Sequence, residues 1–315
     1  MLEQLEPLTT EPVAYGFAIV LGLVWGSFAN VCIYRWPPSE QFPKGRSVVK
    51  PGSHCFACQT PIRWYDNLPM ISWLWLRGRC RSCKATFSGR YLIVEATTAA
   101  LFGVAWWATV VANQMFEPLD VRLIRFAIYA AFCFVLVAIT FIDIDHKLIL
   151  NKVTIPSIVA FYLLGLALPG HAWWNGLVGI AVGYGVPWLI GEIYFRLKGR
   201  EGLGLGDSML LALIGALLGW RGVVFALFGG SVIGSVIGIT ALVLMRDRAE
   251  PAEPVAPAEK PAGPGQPDGD GEPAPDDEPS LMRTELPFGP FLAMAAVFYL
   301  FAEPWIQLNF KLLGG

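Results

Sequence analysis

Eight apolar stretches separated by polar segments constrain the fold of this chain more than any other feature. They lie at residues 13–34, 92–113, 122–142, 153–168, 173–195, 207–220, 223–245 and 287–310. A helix of about 20 apolar residues crosses the roughly 30 Å hydrocarbon core of a bilayer, where the backbone must pair its polar groups internally. Only 15% of the residues are charged, against roughly 25% in an average soluble domain. The sequence therefore predicts an all-α polytopic membrane protein with about eight transmembrane helices.

The charges between the spans predict how the chain crosses the bilayer. Segment 35–90 is rich in lysine and arginine and contains few acidic residues. Since basic loops stay on the cytoplasmic side, this segment is expected inside and the N-terminus outside. An even number of spans then returns the C-terminus to the outside, with Arg122 and Arg125, near an outer end, as the main exception. The lipid bilayer is the expected environment, and the net charge of −2 predicts no nucleic-acid partner.

The basic segment contains four cysteines, arranged as two C-x-x-C pairs. The first pair is Cys55 and Cys58, and the second is Cys80 and Cys83. Two such pairs about twenty residues apart are typical of a tetrahedral zinc site, in which four thiolates leave no open position. Disulfides and free thiols are the alternatives, and disulfides are disfavoured in the reducing cytoplasm. The sequence predicts a small, zinc-ribbon-like cytoplasmic domain held by a structural Zn²⁺.

The chain divides into five predicted parts. These are a first transmembrane helix at 13–34, the zinc-binding loop domain at 35–90, a transmembrane core at 91–246, a linker at 247–286 and a last transmembrane helix at 287–310. The linker is acidic and rich in proline, with almost no large apolar residue. Such a composition cannot bury enough surface to offset the entropy of ordering, so we expect disorder. An acidic docking tail is the alternative.

Two carboxylates are predicted at the same membrane edge. Asp143 ends the third span, and Asp207 begins the sixth after a run of alternating glycines. If the two lie together they share one proton, so that one activates a water and the other polarises a carbonyl, as in an aspartic protease. Asp207 at a helix N-terminus is the expected base and Asp143 at a C-terminus the expected acid. Alternatively, the glycines form a hinge and Asp207 only caps its helix.

A third carboxylate, Glu95, lies about one turn into the second span. Ionisable residues inside membrane spans are costly and are often functional. Glu95 is expected either to pair with Arg90 or to line a site, with pairing favoured. The carboxylates also leave open an ion-coupled transporter, although transporters place their sites near the midplane. A non-enzymatic scaffold with a zinc docking module is a further alternative.

The order of motifs resembles the bacterial type IV prepilin leader peptidases, membrane aspartic proteases of the G-x-G-D class. The matching positions are 26–31, Arg35, the four cysteines, 64–69, 72–73, 76–80, 90–91, Glu95, Asp143, Asn151, 204–207 and 210–212. They cover most of the chain outside the linker.

The resemblance implies a bifunctional enzyme of the bacterial inner membrane. Asp143 and Asp207 would cleave the leader of type IV prepilins and type II secretion pseudopilins at the cytoplasmic face. The enzyme would then methylate the new N-terminal amine with S-adenosylmethionine as donor, and the zinc loop is associated with that second activity. A leader peptidase without methyltransferase activity is the alternative. The resemblance does not place the donor site on particular residues.

Overall fold

The computed structural model describes residues 7–199, 204–246 and 287–309. The predicted linker at 247–286 lies outside the described residues. Within the described ranges there are eight α-helices, and the only β-type pairings are isolated bridges. The helices are α1 Pro12–Arg35, α2 Ile71–Leu76, α3 Arg90–Trp106, α4 Leu119–His146, α5 Asn151–Gly165, α6 Trp173–Lys198, α7 Leu205–Arg246 and α8 Gly289–Asn309. The predicted all-α class is confirmed.

Five helical segments are long and apolar enough to cross a membrane. They are Pro12–Arg35, Arg90–Val111, Leu119–His146, Trp173–Lys198 and Leu205–Ala241, and Gly289–Glu303 is a shorter apolar helix. The helix count of eight matches the prediction, with two differences in detail. The short α2 lies within the loop segment, and α7 joins the two spans predicted at 207–220 and 223–245. The polytopic membrane character of the chain is confirmed.

A kink, rather than a loop, separates the two predicted spans within α7. Gly219 has φ 68° and ψ −174°, outside the helical region. This backbone conformation is essentially restricted to glycine. A side chain would also collide with Asn175 of α6, because a Cβ at Gly219 would lie 2.4 Å from its amide atoms. The helix therefore changes direction at this residue without an intervening loop.

Glycines allow the helices to approach closely in two groups. In the first group α1 packs along α3, and both contact α4; a Cβ at Gly26 of α1 would lie 2.7 Å from the Cα of Glu95. In the second group α7 contacts α5, α6 and α8, and α8 also contacts α4. Gly230 and Gly234 of α7 face Leu292 and Phe291 of α8, as expected for close helix packing.

The two arginines that departed from the charge pattern bind local partners within the protein. Arg122 is fully buried, and its Nη1 donates to the carbonyl oxygen of Val110 at 2.6 Å. That carbonyl belongs to a π-helical turn, Trp107–Val111, which continues α3. Arg125 forms an ion pair with Glu117 at 2.7 Å. Because both guanidinium groups bind partners within the protein, they are poor indicators of which side of the membrane they lie on.

Candidate active site

The four cysteines lie on two knuckles of matching geometry. In the first knuckle the amide of Cys55 donates to the Thr60 carbonyl at 3.0 Å, and Gln59 adopts a positive φ of 56°. In the second, the amide of Cys80 donates to the Ala85 carbonyl at 2.8 Å, and Lys84 has φ 62°. Each turn therefore presents its two thiols towards the same point, as the C-x-x-C spacing predicts.

The sulfur positions fit a tetrahedral metal site. All four sulfur atoms lie within 4.8 Å of one another. Cys55 and Cys83 are 3.7 Å apart, and Cys58 and Cys80 are 3.9 Å apart. Zinc–sulfur bonds of about 2.3 Å place tetrahedral ligands about 3.8 Å from each other. The distances are too long for a disulfide, and the cysteines are free. The cluster could therefore bind a metal ion, and the disulfide alternative is wrong.

Without a cation the four thiols cannot all be ionised together. The side chain and backbone of Thr60 lower the pKa of the Cys58 thiol to about 6. The backbone of Ala85 lowers the pKa of Cys83, but desolvation and the neighbouring sulfurs outweigh it and raise that pKa to about 11. A divalent cation would supply the positive charge that four adjacent thiolates need.

The structure brings Asp143 and Asp207 to the same end of the helix bundle. Asp143 lies in the last turn of α4 and is 5% exposed. Asp207 lies in the first turn of α7 and is half-buried. The two carboxyl groups are close enough to interact electrostatically, although some sixty residues separate them in the sequence. This is the juxtaposition that the sequence predicts.

A third element, the N-terminus of α8, completes the surroundings of Asp143. The backbone N–H of Gly289 donates to Asp143 Oδ2 at 3.1 Å. Ile149 lies against the first turns of both α7 and α8: a Cβ at Gly206 would lie 3.0 Å from its Cβ, and a Cβ at Gly289 would lie 3.5 Å from its Cδ1. Sequence reasoning missed Gly289, because it lies beyond the linker.

The position of α8 also affects the predicted roles of the two carboxylates. Asp207 was expected to be the base because its helix dipole favours an anion. Asp143 now faces the N-terminus of α8 as well as ending α4. Because both carboxylates lie at a helix N-terminus, the dipole argument no longer distinguishes them. The assignment of base and acid stays a prediction.

Glu95 lines a cavity instead of pairing with Arg90. The Nη1 of Arg90 forms an ion pair with Asp145, and its Nη2 donates to the Phe141 carbonyl at 3.5 Å. The favoured pairing of Glu95 with Arg90 is therefore wrong. Glu95 is 7% exposed and accepts a hydrogen bond at 2.7 Å from the backbone N–H of Met70. Arg90 instead joins the start of α3 to the end of α4 that carries Asp143.

The cavity beside Glu95 has a volume of about 650 Å³. It lies between the end of α1, the start of α3 and the segment that carries the four cysteines. Its walls include Asn30, Trp73, Tyr91 and Cys80. The Nε1 of Trp73 is buried and has no hydrogen-bond partner among the described residues. A cavity of this size, with aromatic walls and an unpartnered donor, has the character of a small-molecule site.

Comparisons with known proteins point to one family. The model of the bacterial peptidase A24 N-terminal domain matches residues 20–109, and that of the type IV leader peptidase family matches residues 130–239. A prepilin leader peptidase/N-methyltransferase of Aeromonas salmonicida is 34% identical over 74% of this chain and 82% of its own length. That of Myxococcus xanthus is 32% identical over 94% and 92%, and that of Neisseria gonorrhoeae is 34% identical over 75% and 83%. This chain belongs to the type IV leader peptidase family. No solved structure matches it.

Each of the two family matches contains a different part of the candidate site. The N-terminal match contains Glu95 and the four cysteines, and the leader peptidase match contains Asp143 and Asp207. Gly289, which binds Asp143, lies outside both matches. The family, together with the apolar helices, indicates a protein of the bacterial inner membrane.

Proposed function

We propose that this chain is a membrane aspartic endopeptidase that removes the leader of type IV prepilins and type II secretion pseudopilins, and then methylates the new N-terminal residue. The observation that carries the proposal is the meeting of Asp143 and Asp207 at one end of the bundle. Family membership supports it, because the relatives are named prepilin leader peptidase/N-methyltransferase. The basic segment 35–90 favours the cytoplasmic face for this end of the bundle, with both termini outside.

The two aspartates supply the chemistry of peptide hydrolysis. One carboxylate takes a proton from a water molecule, which attacks the scissile carbonyl carbon. The protonated partner donates a hydrogen bond to the carbonyl oxygen and stabilises the charge that develops there. The N–H of Gly289 holds Asp143 in place through Oδ2. A prepilin with a basic leader and an apolar helix would cross the interface with its cleavage site at this depth.

Two cofactors belong to the proposal. Four thiolates at tetrahedral spacing favour a structural Zn²⁺, which stabilises a loop segment with little core of its own. The cavity beside Glu95 has the size and the aromatic walls expected of a site for S-adenosylmethionine, the methyl donor. Trp73 would donate from its unpartnered Nε1 to an acceptor on the donor molecule.

Mass spectrometry of a co-expressed prepilin tests the proposed function. Membranes that contain the protein should yield pilin that lacks the leader and has gained the mass of one methyl group. Leader removal without this mass gain would support a peptidase without methyltransferase activity. An intact precursor, with the protein present in the membrane, would contradict the peptidase assignment and leave the transporter as the better explanation of the carboxylates.

Substitution of Gly289 by alanine should slow cleavage without unfolding the protein. A Cβ at this position would lie 2.5 Å from Asp143 Oδ2, so the carboxylate must rotate away and lose its N–H donor. Displacing a reacting group by about 1 Å can reduce a rate by about 100-fold. We expect a decrease in leader cleavage of about 10- to 100-fold with a small change in thermal unfolding.

Gly185→Ala is the matched control for this substitution. Gly185 is also a helical glycine, in α6, and a Cβ there would meet no atom within 4 Å. Its variant should cleave at the wild-type rate. Equal cleavage by Gly289→Ala and wild type would show that the contact with Asp143 does not matter for the reaction.

A further inference from the structure

Glu95 is a buried carboxylate whose charge no residue of the described chain balances. Its side chain is more than nine-tenths buried. Its hydrogen-bond donors are the backbone N–H of Met70, at 2.7 Å, and the side chain of Ser27. Both donors are neutral. No ion pair joins Glu95 to any residue in the described ranges, since Arg90 is engaged by Asp145.

An unbalanced carboxylate at a cavity wall is suited to bind a cation. Taking an ionised group out of water is unfavourable unless an opposite charge compensates it. Glu95 faces the 650 Å³ cavity, and both of its own hydrogen-bond donors are neutral. None of the arginines that also line the cavity forms an ion pair with it among the described residues; these are Arg35, Arg46, Arg63, Arg79 and Arg81. The compensating charge is therefore expected to come from a ligand.

A second concavity, the α1–α3 groove, approaches Glu95 from the apolar side of the bundle. The α1–α3 groove is lined by apolar residues of the two helices, including Ile19 and Leu23 of α1 and Ala96, Ala100 and Gly103 of α3. Met70 lines this groove and also lines the cavity. The small residues of α3 leave room for a helix to lie along it, as in helix packing within membranes. The groove thus leads to the residue whose N–H binds Glu95.

We propose that Glu95 binds the N-terminal ammonium group of the cleaved pilin and accepts its proton for methylation, while the apolar helix of the pilin lies in the α1–α3 groove. This inference rests on the proposed function, because it assumes that the cleaved pilin is the substrate of the second reaction. Charge complementarity and the continuity of groove and cavity at Met70 select this occupant. An apolar helix that begins with a cation matches an apolar groove that ends at a carboxylate.

The proposed step balances in protons and electrons. The Glu95 carboxylate takes one proton from the ammonium and leaves a neutral amine with a free electron pair. The amine nitrogen attacks the methyl carbon of a sulfonium donor, so that an N–C bond forms as the C–S bond breaks. The bonding pair of the C–S bond stays on sulfur, which becomes a neutral thioether. The product is a methylated ammonium, and Glu95 later loses its proton to solvent.

The cleavage and methylation sites lie at the same end of the molecule. The ion pair between Arg90 and Asp145 joins the start of α3 to the end of α4. Glu95 lies in α3, five residues after Arg90, and Asp143 lies in α4, two residues before Asp145. A cleaved pilin would therefore move sideways between the two helices, with no need to change its depth in the membrane.

Binding of a defined peptide tests the proposal separately from catalysis. The probe is a synthetic peptide with the apolar N-terminal helix of a mature pilin, labelled at its C-terminus, with either a free or an acetylated N-terminus. The full chain in lipid nanodiscs should bind the free peptide at least about tenfold more tightly than the acetylated one, a difference of about 1.4 kcal/mol. Equal binding of the two peptides by wild type would overturn the proposal.

Glu95→Gln should remove this preference for the free amine. The glutamine keeps the acceptor for the Met70 N–H, so the fold is maintained, and leader cleavage should continue. We expect methylation to fall by at least about 100-fold, the contribution of a general base. Glu192→Gln is the matched control, because Glu192 is only partly buried and is paired with Arg196 on α6; it should behave as wild type.

A second pair of variants tests the groove. Ala100→Phe would fill it and should weaken binding of both peptides, whereas Ile93→Phe, at an exposed α3 position outside the groove lining, should not. A Glu95→Gln protein that keeps the amine preference, or that loses only binding of a sulfonium donor analogue, would overturn the proposal. If wild type itself cleaves but never methylates, the methyltransferase part of the proposed function has failed, and that result differs from failure of the Glu95 role.

Discussion

Leader cleavage should fall by at least about 10³-fold when either Asp143 or Asp207 is replaced by asparagine, because a shared-proton pair works only with both carboxyl groups. Asparagine keeps the size of the side chain and its ability to accept the Gly289 N–H bond. It cannot take a proton from water. The precursor should therefore persist in mass spectra of membranes that contain either variant, and no methylated product should form without a free amine.

Asp145→Asn provides a control on the same helix. Asp145 lies two residues from Asp143 and binds Arg90, so its loss removes one partly exposed ion pair, worth at most about 1 kcal/mol. Cleavage by this variant should stay within a few-fold of wild type. Continued cleavage by Asp143→Asn or Asp207→Asn would show that the aspartic mechanism is wrong, and cleavage lost in all three variants would point to damage at the end of α4.

Removal of the proposed zinc ion should strongly destabilise the 35–90 segment. Binding of a structural zinc ion stabilises small domains by about 10–16 kcal/mol, far more than this segment gains from its few buried side chains. Chelation, or the double substitution Cys55→Ser with Cys80→Ser, should make the segment sensitive to protease. The cavity beside Glu95 takes part of its wall from this segment, so methylation should be lost while leader cleavage continues in the α4–α7–α8 region.

The remaining cysteines supply the control for metal loss. Cys32 and Cys133 are fully buried in α1 and α4, away from the four-cysteine cluster. Their alanine variants should retain one zinc ion per chain by elemental analysis, and the double cysteine variant should retain none. A metal-free protein that resists protease as well as wild type would contradict a structural role for the metal.

Much of this arrangement is predictable because local patterns determine it. Apolar length predicts the membrane helices. The C-x-x-C spacing predicts the knuckles, since six consecutive residues close each turn through their own hydrogen bonds. The meeting of Asp143 and Asp207 is predictable because both lie at span ends on the same side. The kink at Gly219 is less so, because a glycine inside an apolar run gives no sign that its φ is positive.

The features that could not be predicted from the sequence are contacts between distant segments of the chain. In the sequence Arg90 lies far closer to Glu95 than to Asp145, yet helix packing selects Asp145 as its partner. Arg122 satisfies its Nη1 with a backbone carbonyl of the π-helical turn, a partner that no residue pattern indicates. Gly289 reaches Asp143 across 146 residues of sequence. Such pairings depend on the three-dimensional order of helices, which apolar periodicity leaves undetermined.

The hydrogen bond from Gly289 to Asp143 extends the peptidase site beyond the residues that the family model matches. The leader peptidase family model matches residues 130–239, yet the backbone group that holds Asp143 begins the next helix, beyond the acidic, proline-rich linker. A fragment cut at the end of this match would keep both aspartates and lack the donor that orients one of them. The last helix is therefore part of the peptidase site although the family model stops short of it, and its contribution, a main-chain N–H, depends on the absence of a Cβ at residue 289.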